Sequence, residues 1–315
     1  MPFLRRIALS AAVALALLPA TAPAQNRPAA SVPAPARPDL MPQNAAERRG
    51  FLLGMLEPYR QKEISGKERG ISVHGRGHII RAYMFANTMC NILRAQGVSV
   101  DKNAVLCGIA GHDLGRAGLG EDIWEKESAN ATVAALKGAR GADAMGDVYE
   151  KELAGCINKQ QIEQPGGRKV TVSGSATLEG QLLNAADCLD IGRTKEFDDS
   201  YFDFLRGPNG ELTEDAVRIR DGLKKEADLL QRLTNPLCAN RQKMQSLELQ
   251  MIEVDNAGGD ISGIQATKDE LREKVSATFI YEAQNISNED YLLKFENVVK
   301  KNPQLFPLLS QYAFD

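Results

Sequence analysis

The sequence predicts an all-α fold, a helical bundle followed by an α-helical C-terminal cap. Three observations carry that expectation. From Ala45 onward apolar residues recur at three- and four-residue intervals, the spacing that gathers them on one side of a helix. Beyond about Arg193 the same periodicity continues in longer, more charged segments that begin with capping signals. Only one short stretch, Lys169-Val170-Thr171-Val172, reads as a strand.

The helices follow in order. From His78 to Ala95, Ile79, Tyr83, Ala86, Cys90 and Leu93 share a helical face, and Gly97 supplies a stop. A second apolar helix, Asn103 to His112, runs into the glycine-rich loop Gly115–Gly120. A third, Asp122 to Leu136, carries Ser128, Ala129 and Trp124, the last expected in the core or in a pocket wall. Further helices are expected at Asp147–Ile162 and Leu178–Arg193, then at Thr213–Leu233, Ala239–Glu253, Thr267–Gln284 and Asn288–Lys300. Thr267 with Glu270, and Ser287 with Asp290, have capping-box spacing. Asn256-Ala257-Gly258-Gly259-Asp260 is a turn whose acids are too few for an EF-hand loop. Asn130-Ala131-Thr132 matches a glycosylation pattern, but it falls inside a predicted helix.

Composition bounds the function. With 315 residues, 43% hydrophobic and 25% charged, the chain suits one large domain or two modest ones. Its 38 Lys and Arg stand against 41 Asp and Glu, which argues against bulk nucleic-acid binding but permits a nucleotide-sized ligand. Residues 1–24 read as a secretory signal: Arg5-Arg6, an apolar run from Ile7 to Leu18, and Ala22-Pro23-Ala24 as a cleavage site. The expected location is therefore periplasmic or secreted, with no stable membrane span after cleavage. Residues 25–44, with Pro28, Pro33, Pro35, Pro38 and Pro42, bury too little to offset ordering entropy and read as a disordered linker. The catalytic domain is expected over 45–195 and the cap over 196–315. Five cysteines, widely spaced, do not form a disulfide framework. Cys90, Cys107 and Cys188 read as small buried side chains, while a bridge involving Cys156 or Cys238 stays open.

All three histidines, His74, His78 and His112, lie within one short stretch, and His112 precedes Asp113. Farther on stand Asp187 and Asp190, one helical turn apart. Imidazole and carboxylate together suit a first-row divalent cation better than either alone.

The segments His78-x-x-Arg81, His112-Asp113-Leu114-Gly115-Arg116 and Ala186-Asp187-x-Leu189-Asp190 resemble the signature of the HD-domain metal-dependent phosphohydrolases. The resemblance covers roughly residues 70 to 195. It implies an HD-type helical bundle in which His78, His112, Asp113 and Asp187 hold one divalent metal ion. Four such ligands leave open positions on an octahedral Mn, Fe, Ni or Mg ion, where water is activated for attack on phosphorus. Two-metal members use further histidines after the pair; none follows Asp113 here, so a single ion is expected.

A narrower pattern is similar to the phosphodiesterase domain of SidE-type bacterial effectors. It comprises His74-Gly75-x-x-His78-x-x-Arg81 and Gly120-Glu121-Asp122-x-Trp124-x-x-Glu127-Ser128-Ala129. That resemblance implies action on ADP-ribosyl or phosphoribosyl groups carried by a protein. A third histidine important there has no counterpart past residue 112.

The expected roles follow. His74 acts as general acid, Arg116 clamps a phosphate, and Glu121 or Glu127 serves as base or contacts a ribose hydroxyl. Asp190 orients a ligand from behind. Arg81 either binds phosphate or pairs with an acid on a helix face, the second being the ordinary fate of such an arginine. The resulting expectation is a hydrolase of phosphomonoesters or phosphodiesters, with a small phosphorylated or nucleotide-like substrate. Its alternatives are a phosphodiesterase acting on a modified protein, and a non-catalytic binding protein with a vestigial metal site.

Overall fold

The computed structural model describes residues 44–65, 74–116, 125–140, 159–164, 168–173, 177–191, 202, 204–205 and 211–314. The expected signal (1–24), linker residues 25–43, Glu121, Trp124 and Cys156 lie outside them. The protein is all-α, with one two-stranded hairpin among the described residues. Its elements are α1 (Ala45–Ser65), α2 (Arg76–Ala95), α3 (Lys102–Gly111), α4 (Glu125–Arg140), β1 (Lys159–Gln164) and β2 (Arg168–Ser173). They continue with α5 (Leu178–Ile191), α6 (Glu214–Thr234), α7 (Pro236–Asn256), α8 (Ser262–Asn285), α9 (Asn288–Lys300) and α10 (Pro307–Tyr312).

Helix α1 opens directly after Asn44. Asn44 caps α1: its side-chain oxygen accepts the Glu47 backbone N–H at 2.9 Å, and its amide donates to the Glu47 carboxylate at 2.8 Å. This reciprocal pairing satisfies a backbone donor that the helix cannot.

Helix α2 is the axis of the bundle. It is buried on every side from Arg76 to Cys90 and packs against α1, α3, α5, α6, α9 and α10. Several polar side chains there have buried hydrogen-bond partners. Thr88 donates to the Met84 carbonyl and Asn87 to the Ala313 carbonyl, both at 2.8 Å. Arg76 meets Glu63 at 2.7 Å and stacks over the Tyr291 ring. The helix stops at Gly97, whose φ of 76° suits glycine; the Val98 N–H bonds back to the Leu93 carbonyl at 2.9 Å.

The C-terminal helices share this core. Leu223, Leu230, Phe295, Val299, Phe306 and Leu309 belong to the same buried cluster as Leu56, Ile80, Phe85, Val105 and Leu183. The described residues form one compact unit. Short α10 lies against α2, and the buried Glu226 carboxylate accepts its Leu308 and Leu309 N–H groups at 2.8 and 2.9 Å. No described helix is long and apolar enough to cross a membrane.

Three local expectations need correction. The helix expected over Asp147–Ile162 does not extend through its end: Lys159–Gln164 is strand β1, antiparallel to β2 with Ile162 opposite Val170, while 147–158 lie outside the described residues. Cross-strand pairing to the β-branched Val170-Thr171-Val172 run overrides a helical reading, and Pro165-Gly166-Gly167 is a breaker sequence between the two strands. Thr267 does not cap α8, which begins at Ser262; its hydroxyl instead bonds back to the Gly263 carbonyl at 3.0 Å. Cys188 is half-buried rather than buried, whereas Cys90 and Cys107 are buried as expected. By contrast, Ser287 caps α9, accepting the Asp290 N–H at 3.1 Å.

Candidate metal centre

Three helices deliver the site. His78 projects from the first turn of α2, His112 and Asp113 follow the last residue of α3, and Asp187 lies in the middle of α5. The α2–α5 and α3–α5 packing brings these together from separations of up to 109 residues. The Nε2 atoms of His78 and His112 lie 3.1 Å apart. Asp113 Oδ2 is 3.4 Å from the first and 3.3 Å from the second; Asp187 Oδ1 is 3.3 and 3.4 Å away. Four donor atoms thus face one small volume.

The far side of each imidazole explains why. His112 Nδ1 is 2.7 Å from the Ile109 carbonyl, an oxygen that can only accept, so Nδ1 carries the hydrogen. His78 Nδ1 is 2.7 Å from Asp190 Oδ2, and that carboxylate is ionised by its pairing with Arg81. In the neutral form, which a metal requires, both rings would turn an Nε2 lone pair inward, toward each other and toward two carboxylate oxygens. Such an arrangement repels itself unless a positive charge sits in the middle. The donor set fits a divalent cation: neutral imidazoles, hard carboxylate oxygens, and hydrogen-bonded outer nitrogens that fix tautomer and direction.

The electrostatics agree. Burial opposes charge on His78, yet hydrogen bonds to Asp113, Asp187 and Asp190 outweigh it and hold its pKa up at about 10. His112 is also raised: burial is overcome by Asp113 and Asp187. Asp113 is held well below the usual carboxylate range because His112 and His74 overcome its burial. The buried carboxylates thus favour positive charge within this cluster.

Behind the donors lies a buried polar layer. Arg81 donates to Asp190 through Nε at 2.5 Å and through its terminal nitrogen at 3.0 Å, so it is structural, as its helix-face position suggested. Gln231 of α6 donates to Asp190 Oδ1 at 3.2 Å and to the Asp190 carbonyl. Asp190 itself is 0% exposed. On the other side, Lys62 of α1 donates to the Leu114 and Arg116 carbonyls at 2.8 and 2.7 Å, pinning the turn after the His-Asp pair. Sequence reasoning found Asp190 but missed Gln231 and Lys62. Nothing in their local spacing distinguishes them from solvated helix residues.

Helix α4 closes over α3 through two glycines. A Cβ on Gly111 would lie 1.9 Å from Thr132 Oγ1, and one on Gly115 would lie 2.5 Å from the Ser128 backbone nitrogen. The Gly115 N–H donates to the Ser128 hydroxyl at 3.0 Å. Thr132 is buried here, while Asn130 faces solvent from within α4.

The remaining expected residues divide. His74 Nδ1 is 2.8 Å from Asp113 Oδ2, with its side chain 15% exposed at the edge of the cluster. Burial lowers its pKa despite Asp113, so the ring is neutral near pH 7. Arg116 is buried, its guanidinium 3.9 Å from Asp113 Oδ1. Glu127 is exposed on α4 and is not among the converging donors. Two overlapping trios have donor atoms within 4.8 Å of one another: His78 with His112 and Asp187, and His74 with His78 and Asp113. His78 has one ring nitrogen left after Asp190, so the two trios share a donor and do not make two separate sites.

No protein-family model, curated protein or solved structure matches the chain.

Proposed function

We propose that this protein is an HD-type phosphohydrolase using one divalent metal, cleaving a phosphomonoester or phosphodiester of a nucleotide-derived substrate. One observation carries the reading: the Nε2 atoms of His78 and His112, delivered by two helices, each lie within 3.4 Å of the other and of the Asp113 and Asp187 carboxylate oxygens. His78, His112, Asp113 and Asp187 would hold the ion. A divalent ion there supplies Lewis acidity toward phosphoryl oxygens and lowers the pKa of water.

The chain's own groups do the rest. His74 gives its Nδ1 hydrogen to Asp113, which leaves Nε2 able to accept a proton. It can donate to a leaving oxygen only after taking that proton, so acceptance comes first. Arg116 brings a planar cation beside the anionic ligands, where it supports a phosphate oxygen. Asp190, Arg81 and Gln231 hold His78 in its metal-facing orientation. The broader reading is preferred over removal of ADP-ribosyl groups from protein because the third histidine of the narrower pattern has no counterpart past residue 112.

A second reading, a closed site holding metal without turnover, is favoured by the burial of all four donors. Elemental analysis of the purified protein beside a panel of phosphoesters separates the two. The expected result is about one divalent ion per chain with hydrolysis. His112→Ala and Asp113→Ala are expected to remove both, and His74→Gln to keep the metal but lose turnover. Hydrolysis undiminished in the Asp113 variant would reject the site.

A further inference from the structure

Residues of α1, α2, α9 and the segment after α10 line a half-open cavity of about 240 Å³ that contains none of the metal donors. Its floor is apolar, formed by the buried side chains of Leu52, Met84 and Leu292. Its polar groups are unevenly charged: Arg48, Arg49 and Lys300 against a single acid, Glu296. Glu296 already serves two of those cations, pairing with Arg49 and lying 2.9 Å from Lys300. No described carboxylate pairs with Arg48, although it is half-buried. Its charge falls on the phenol of Tyr83, another lining residue, whose pKa is raised by burial and which Arg48 pulls back down.

We propose that this cavity binds a small amphiphilic anion, a medium-chain carboxylate whose tail covers the apolar floor and whose head group meets Arg48. A half-buried cation without a counter-ion is costly unless an anion neutralises it. Arginine's planar fork matches a carboxylate bidentately. The apolar floor supplies the remaining affinity through area removed from water. At about 30 Å³ per water the volume equals roughly eight water molecules, which suits a chain of octanoate size rather than a nucleotide. The proposal stands independently of the metal reading.

The test is isothermal titration of the full chain with octanoate and with octanol. Octanoate should saturate at one equivalent and octanol should bind more weakly. Arg48→Gln should weaken octanoate roughly tenfold, the loss of one charge-assisted hydrogen bond, and leave octanol unchanged. Its melting temperature without ligand should match the parent, and Lys300→Gln provides a second, exposed variant should Arg48→Gln fold poorly. Equal affinity for the alcohol, or octanoate binding indifferent to both substitutions, overturns the proposal. So does a gain in octanoate affinity on combining Asp39→Asn, Leu40→Ser and Met41→Ser, since the cavity would then belong to the chain's own residues 39–41.

Discussion

His78 and His112 present their Nε2 atoms to each other at 3.1 Å, while both Nδ1 atoms are occupied elsewhere. A proton or a metal ion is the natural occupant of the gap, and the two must compete. That competition gives the site a readable pH dependence.

In the metal-free protein the pKa of His78 is raised from the ordinary 6.5 to about 10. Below about pH 6.5 both folded and unfolded chains are protonated and the stabilisation is complete. It is lost as pH rises toward about 10, because the unfolded chain releases the proton first. Chelated protein should therefore become less stable over that window in thermal unfolding. Metal affinity should run the opposite way, rising about tenfold per pH unit as one proton is displaced. Metal affinity that is flat from pH 7 to 9 contradicts this.

Asp190 sits fully buried between His78 and Arg81. Asp190→Ala leaves the Arg81 guanidinium buried without its partner, which should cost about 3–5 kcal/mol in chemical denaturation. Arg81→Met combined with Asp190→Leu should recover most of that loss. The double variant should still bind metal poorly, because His78 has lost the acceptor that sets its tautomer. Restored stability together with full metal affinity would show that Asp190 does not orient His78.

Gln231 reaches Asp190 from α6. Gln231→Leu should weaken metal binding by about tenfold, the low end of the effect of a support outside the ligand sphere. Unfolding should shift by only about 1–2 kcal/mol. Competition titration against a metal indicator checks the first figure and urea unfolding the second.

Gly115→Ala should destabilise by about 1–3 kcal/mol, because the new methyl meets the α4 backbone at 2.5 Å and a backbone cannot rotate away. Gly54→Ala makes the opposite prediction. It lies within α1 with nothing within 4 Å of a new Cβ, so it should stabilise by roughly 0.5–1 kcal/mol. Paired melting curves test both, and equal shifts in the two variants would refute the close approach of α4 at Gly115.

Much of the helical architecture was legible because its signals are local. The periodicity from Ile79 to Leu93, the stop at Gly97 and the Ser287 cap are each written within one or two turns. The site was legible for a different reason. Three histidines in so short a span, with Asp113 beside the last, restrict the ways imidazole and carboxylate can meet. Lys159–Gln164 does not read as a strand locally because a strand is defined by the partner it pairs with, here Arg168–Ser173. Gln231 and Lys62 were invisible because their roles depend on which carbonyl or carboxylate packing puts in reach.

By itself, then, the sequence determined the all-α class, the rough placement of most helices and the residue types able to hold a cation. Those follow from backbone hydrogen bonding and side-chain chemistry acting within a few residues. Only the tertiary structure decided that four donors from three helices share one volume, and that Asp190 rather than solvent stands behind His78. It also decided that the helices after residue 211 complete the same core. These are relations between distant segments, and the free energy that selects them is burial of whole helix faces, which no local pattern contains.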